Sequence, residues 1–149
     1  MRIALAKITD QRHRVTVHRD DGSDETVELD TRSFLRHDLA HYAVAVELGL
    51  GHGVWGSVAA GGSLSGDGLD GADMMLSESL AGPMQTMMRT GGSVAEIRVV
   101  IDRVAPDLDT DIDDLSEALH DRLRRLAGHW AATAFGTSMD LEFPSPTSS

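Results

Sequence analysis

The sequence contains no cysteine at any of its 149 positions. This absence excludes thiol nucleophiles, cysteine-ligated zinc ribbons and disulfide cross-links. A chain of this length buries about two thirds of its surface when it folds, so it needs no covalent or metal cross-link for stability. A chain without cysteine also suits a reducing compartment, and we therefore expect a cytoplasmic protein.

Long apolar runs, basic residues and aromatic rings are also scarce. No run approaches the roughly 20 apolar residues that span a bilayer, and the N-terminal segment lacks the pattern of a signal peptide. Acidic residues outnumber basic residues by 24 to 13, and the net charge of −11 argues against nucleic acid or an anionic membrane as a partner. Aromatic residues make up 4% of the chain, so a base-stacking surface is not expected.

The first part of the chain predicts three antiparallel strands. Residues 2–8, 12–19 and 25–30 carry the apolar alternation of half-buried strands, and short turns rich in aspartate and glycine connect them. In the second strand this alternation places His13 on the apolar face, where we expect it to be partly buried, and His18 on the opposite face, where we expect it to be exposed. Strands joined in this way form a meander whose apolar face needs a covering layer of helices.

The rest of the chain predicts about four helices, at residues 33–49, 72–90, 93–105 and 112–131. Ser93 and Glu96 have the spacing of a capping box at the start of the third helix. Gly82-Pro83 is expected to break or kink the second helix, because proline lacks the backbone donor. For the first helix, Thr31 or Ser33 is the predicted N-cap, and Gly49 is the predicted terminator.

These elements predict a single α+β domain over residues 1–143, an N-terminal three-stranded antiparallel meander packed against about four helices. The glycine-rich segment 49–71 is predicted to be a long loop whose second part is mobile. The last residues, 144–149, contain proline and small polar residues and are expected to be a disordered tail.

The first helix carries the one residue spacing that points to chemistry, an H-D-x-x-H run formed by His37, Asp38 and His41. Two histidines at positions i and i+4 lie one turn apart on a helix, so their rings can point at one object. Helical zinc sites use this spacing, with a carboxylate directly after the first histidine. His37 and His41 are therefore candidate metal ligands, and Asp38 is a candidate catalytic residue.

The run resembles the HExxH helix of zinc metallopeptidases, with Asp38 in the place of that family's glutamate. The resemblance covers five residues and implies a zinc ion held by His37 and His41, with Asp38 positioning or deprotonating a bound water. Two residues are candidates for the third ligand. Glu47 lies six residues after His41 but points about 120° away on an unbroken helix, whereas His52 lies just beyond the helix and can reach back.

A longer segment, residues 35–61, resembles small uncharacterised bacterial proteins, and that resemblance implies no activity.

Three hypotheses about the function follow from the whole sequence. The first is a zinc-dependent hydrolase built on the histidine pair. The second is a non-catalytic interaction or regulatory protein that forms a homodimer through the methionine-rich second helix, which carries Met74, Met75, Met84, Met87 and Met88. The third is a small-ligand site in which Asp38 orients a histidine without a metal.

Overall fold

A computed structural model of the chain describes residues 1–49, 53–64 and 72–144. The elements run in the order β1 (Arg2–Lys7), β2 (Arg12–His18), β3 (Asp24–Asp30), α1 (Thr31–Leu48), α2 (Val54–Ala59), α3 (Ala72–Thr90), α4 (Val94–Val104), α5 (Ile112–Ala132) and β4 (Ser138–Glu142). The architecture is α+β, as the sequence predicts. Residues 50–52 and 65–71 of the predicted loop, which include most of the part predicted to be mobile, and residues 145–149 of the predicted disordered tail lie outside the described residues.

The sheet has four antiparallel strands in the order β3-β2-β1-β4. One face is apolar, because alternation along β1 and β2 buries Ile3, Leu5, Val15 and Val17 on the same side. This face also receives His13, as the alternation predicts, but the side chain is completely buried where the sequence predicts partial burial. The helices cover this face, and the hydrophobic core lies between the two layers.

The prediction of a three-stranded sheet is incomplete, because β4 pairs with the free edge of β1. The segment Ser138–Glu142 offers only two apolar side chains in alternation, Met139 and Leu141, so its local signal for a strand is weak. Pairing with β1 and complete burial of Met139 hold it in the sheet. Because this strand is stabilised by pairing with a segment far away in the sequence, its own residues give only a weak strand signal.

Helix α1 begins at Thr31, two residues before the start that the sequence predicts. Its N-cap is Asp30, the last residue of β3, whose carboxylate accepts a hydrogen bond from the backbone N–H of Arg32 at 3.0 Å. The prediction of Thr31 or Ser33 as the N-cap is therefore wrong. At the other end Gly49 adopts the left-handed conformation with φ of 67°, which confirms it as the terminator.

Helix α3 continues through Pro83 without a break. Leu80, Ala81 and Met84 around this proline are completely buried, so tertiary packing offsets the hydrogen bond that proline cannot make. Met87 and Met88 lie partly buried against the core, while Met75 is 71% exposed. Self-association through this helix stays a prediction.

Of the remaining helices, α2 packs against α1, and α4 packs against α3 and α5. The short helix α2 forms within the segment predicted to be a loop, where Trp55 and Val58 are buried. The predicted capping box of Ser93 and Glu96 starts α4 and is confirmed. Among the described helices, none is both long enough and apolar enough to cross a membrane.

Replacing Asp30 with alanine should lower the free energy of unfolding by about 1 kcal/mol, because the first turn of α1 loses its cap. Chemical denaturation of the two proteins measures this difference. Asp109→Ala is the control for loss of one carboxylate, since Asp109 is an exposed residue outside the helices, and we expect a change of less than about 0.5 kcal/mol. Equal effects of the two substitutions would contradict the capping role.

Candidate metal centre

The candidate site lies where α1 packs against α3. On α3 the buried residues Ser77, Leu80, Ala81 and Met84 recur at i, i+3, i+4 and i+7, which is one face of a helix. On α1 the positions His37, Ala40, His41 and Val44 follow the same spacing and face α3. The two stripes pack together, and Glu78, next to Ser77, lies at the edge of the contact.

Three donor atoms converge at this edge. His41 Nε2 lies 3.2 Å from His37 Nε2 and 3.2 Å from Glu78 Oε1, and His37 Nε2 lies 4.0 Å from Glu78 Oε2. A metal ion at the usual zinc–ligand distance in tetrahedral geometry separates its ligand atoms by about 3.3 Å. The two separations from His41 Nε2 match this value, and the separation of 4.0 Å between His37 Nε2 and the second oxygen of Glu78 exceeds it, so one ion fits between the three side chains after the exposed Glu78 carboxylate moves closer to His37.

The nitrogen at the far side of each imidazole ring has its own partner. His41 Nδ1 lies 2.7 Å from the hydroxyl oxygen of Ser77, and His37 Nδ1 lies 3.5 Å from Asp38 Oδ1. When His37 donates a hydrogen bond to the Asp38 carboxylate, Nδ1 carries the hydrogen, and in the neutral ring Nε2 then presents a lone pair to the site. Partners of this kind fix the tautomer and the ring orientation of metal-binding histidines.

The site has a buried wall and an open side. His41 is 1% exposed, whereas the side chains of His37 and Glu78 are 36% and 55% exposed. A structural zinc site is closed by four protein ligands, while a catalytic site has three and keeps a position open for water or substrate. Three ligands and an exposed rim fit the second arrangement.

The two histidines have opposite pKa shifts. Burial is the main cause that lowers the pKa of His41, and the nearby His37 lowers it further. The hydrogen bond with Asp38 raises the pKa of His37, and the negative charges of Asp38 and Glu78 add to that effect. Two ring nitrogens and a carboxylate so close together repel one another unless a proton or a cation lies between them. The group is therefore arranged to hold a positive charge.

The structure brings together only part of the ligand set that the sequence suggests. His37 and His41 meet, but Glu47 is not in this group, because its carboxylate accepts a hydrogen bond from Arg122 of α5 at 2.5 Å. His52 lies outside the described residues. Asp38 faces the Nδ1 edge of His37, on the opposite side of the ring from the converging atoms, which favours an orienting role over proton abstraction from a bound water.

Glu78 is the site residue that sequence reasoning missed. It lies on α3, far along the chain from the histidine pair, and no spacing rule connects it to them. Its neighbour Ser77 extends the apolar stripe of α3 by one turn, which places this end of α3 on the core side. That periodicity could have identified the helical turn of α3 that contains Glu78, but not the histidines of α1 that this turn contacts.

A further histidine, His13, lies buried beneath the start of α1. Its Nδ1 lies 3.0 Å from the hydroxyl oxygen of Thr31, and its ring packs edge-on against Trp130 with centroids 5.9 Å apart. Within the described part of the chain, its Nε2 has no hydrogen-bond partner. Burial is the main cause that lowers the pKa of His13, although Asp38 and Asp30 oppose this shift. The ring is therefore held in its neutral form.

The lowered pKa of His13 predicts a loss of stability in acid. The folded chain binds this proton more weakly than the unfolded chain, so the free energy of unfolding falls as pH drops below the ordinary value of 6.5. His13→Leu should remove this contribution, which is at most about 1.4 kcal/mol per pH unit. Denaturation at a series of pH values measures the slope, and His129→Leu, at an exposed position on α5, is the control. Equal slopes in the two variants would contradict the prediction.

No model of a protein family, no characterised protein and no solved structure matches the chain. The five-residue resemblance to the zinc metallopeptidase helix and the resemblance of residues 35–61 to uncharacterised bacterial proteins stay predictions. The geometry of His37, His41 and Glu78 is therefore the basis for the proposed function.

Proposed function

We propose that the protein binds one divalent transition-metal ion, with zinc as the best fit, through His37 Nε2, His41 Nε2 and the carboxylate of Glu78. The observation that carries this proposal is the convergence of these three donor atoms, which all lie within 4.8 Å of one another. Ion-pair or hydrogen-bond clusters often bring two such groups together, but three donors at ligand spacing around one point are typical of a metal site.

The chemistry of the donors narrows the choice of ion. Two imidazole nitrogens and one carboxylate oxygen suit zinc and the neighbouring transition metals, while magnesium and calcium prefer oxygen ligands throughout. Catalytic zinc sites include the combination of two histidines and one glutamate. With no cysteine in the chain, thiolate-rich zinc and copper sites are excluded.

The open side of the site supports a hydrolytic function over a purely structural one. A zinc ion held by three protein ligands lowers the pKa of a bound water to about 7 and so supplies a nucleophile at neutral pH. Glu78 and His37 form the exposed rim of the site, and a substrate would reach a bound ion from this side. Buried His41, with Ser77 behind it, forms the rigid wall.

The purified protein should take up one equivalent of zinc. At free zinc about a hundredfold above its dissociation constant, the free energy of unfolding should rise by about 2.7 kcal/mol, because the ion binds the folded state. Metal analysis and thermal denaturation with and without zinc measure both quantities. His37→Ala, His41→Ala and Glu78→Gln should each abolish the stabilisation.

Two controls separate this set of ligands from the alternatives. Glu47→Gln should retain zinc binding, since the Glu47 carboxylate pairs with Arg122, and His129→Ala should retain it as well. Glu78→Gln is the decisive variant, because its side chain is half exposed and its loss leaves the core intact. Less than about half an equivalent of metal in the wild-type protein, with no stabilisation by zinc, would end the proposal.

Substitution of Asp38 with asparagine distinguishes its two candidate roles. If Asp38 orients His37, zinc affinity should fall about 10- to 100-fold, while the zinc-saturated variant still hydrolyses an activated ester such as p-nitrophenyl acetate. If Asp38 is the general base, affinity should persist and hydrolysis at saturating zinc should fall by about 10²- to 10⁴-fold. The position of Asp38 behind the His37 ring predicts the first result.

A further inference from the structure

A concave site distinct from the candidate metal centre lies on another side of α1, between its N-terminal half and the end of α5. It is a cavity of about 320 Å³, and we call it the Arg32–Arg36 hollow after the two arginines that line it. Cavities that bind small molecules range from about 300 to 1,000 Å³, so this volume suits a small ligand. None of the three candidate metal ligands lines it.

The floor of the Arg32–Arg36 hollow is apolar. Leu35 and Leu39 of α1 lie buried at its base, and Trp130 and Ala127 of α5 and Met88 of α3 complete the lining. Trp130 is held in place from behind, because its ring packs on His13 and Lys7 Nζ lies 4.7 Å from its centroid. A rigid aromatic wall and aliphatic side chains favour an apolar ligand body.

The rim of the hollow is cationic. Arg32 and Arg36 are four residues apart in the first turns of α1, so their guanidinium groups extend over the same side of the helix. Both are exposed, and neither forms an ion pair with a carboxylate in the described ranges. The positive end of the α1 dipole is already capped by the Asp30 carboxylate, so the two guanidinium groups supply the positive charge of the rim.

One acidic residue, Asp10, also lines the hollow. Its charge weakens the positive potential but does not cancel it, because two guanidinium groups face one carboxylate. Guanidinium groups bind carboxylates through paired hydrogen bonds, which gives both affinity and orientation. Such a pair above an apolar floor is complementary to a molecule with a charged head and an apolar tail.

We propose that the Arg32–Arg36 hollow binds a small organic carboxylate, whose head group pairs with Arg32 and Arg36 and whose apolar tail lies against Leu35, Leu39 and Trp130. The proposal is independent of the metal site. Selective binding of such a ligand requires both the cationic rim and the apolar floor. The arginines alone would bind any anion, and the floor alone would bind any apolar molecule.

Calorimetric titration with octanoate and with its uncharged analogue octanamide tests the proposal. Octanoate should bind and octanamide should bind at least about tenfold more weakly, because the analogue cannot form charged hydrogen bonds with the arginines. The double variant Arg32→Gln/Arg36→Gln should weaken octanoate binding at least about tenfold. Quenching or a shift of tryptophan emission on binding should accompany the wild-type titration, since Trp130 lines the hollow.

Arg124→Gln is the matched control, because Arg124 lines a neighbouring cavity and its loss changes the net charge in the same direction. It should bind octanoate as the wild type does, and Asp10→Asn should bind it more tightly. The Glu78→Gln variant should bind octanoate unchanged, which separates this site from the metal centre. Equal binding of octanoate and octanamide, an equal loss in the Arg124 variant, or no octanoate binding at all would overturn the proposal.

Discussion

The packing of α1 on α3 is the constraint on which the candidate metal centre depends. Two of its three candidate ligands, His37 and His41, belong to one helix, and their relative positions follow from helical geometry alone. The third, Glu78, belongs to the other helix, so its distance from the histidines is set by how closely the two helices approach. Small buried side chains, Ala40 and Ala81, lie in the facing stripes and allow that close approach. A substitution that pushes α1 and α3 apart would therefore move Glu78 away from the two histidines, even though it leaves all three side chains in place.

Burial of His41 in this contact is what makes the site asymmetric. An imidazole placed in the core needs a hydrogen-bond partner, and the hydroxyl of Ser77 meets that need at 2.7 Å. Because Ser77 engages Nδ1, the other nitrogen is directed to the open edge, where Glu78 and His37 lie. His13 shows the contrasting case, since only one of its two nitrogens has a partner in the described structure. The same residue type thus contributes to a polar site in one place and to a packed core in the other.

Local periodicity explains what could be predicted from the sequence. The spacing of three and four residues placed His37 and His41 together, and alternation along β2 placed His13 in the core. The same geometry indicated that Glu47 points away from His41, and its carboxylate lies against Arg122 of α5.

Contacts between distant segments account for what could not be predicted. Glu78 reaches the histidines only through the packing of α3, and β4 forms only through its pairing with β1.

The N-cap of α1 is another feature that the local sequence does not determine. Asp30, Thr31 and Ser33 are all good capping residues, so intrinsic preference does not choose among them. The choice follows from the sheet, because β3 continues through Asp30 and the chain can turn into α1 only after that residue. The end of β3 therefore determines which residues occupy each side of α1. With this register, Asp38 lies behind His37, His41 faces Ser77, and Arg32 and Arg36 extend over the apolar hollow. One strand end thus positions both proposed sites, and a shift of one residue would rotate all of these side chains by about 100°.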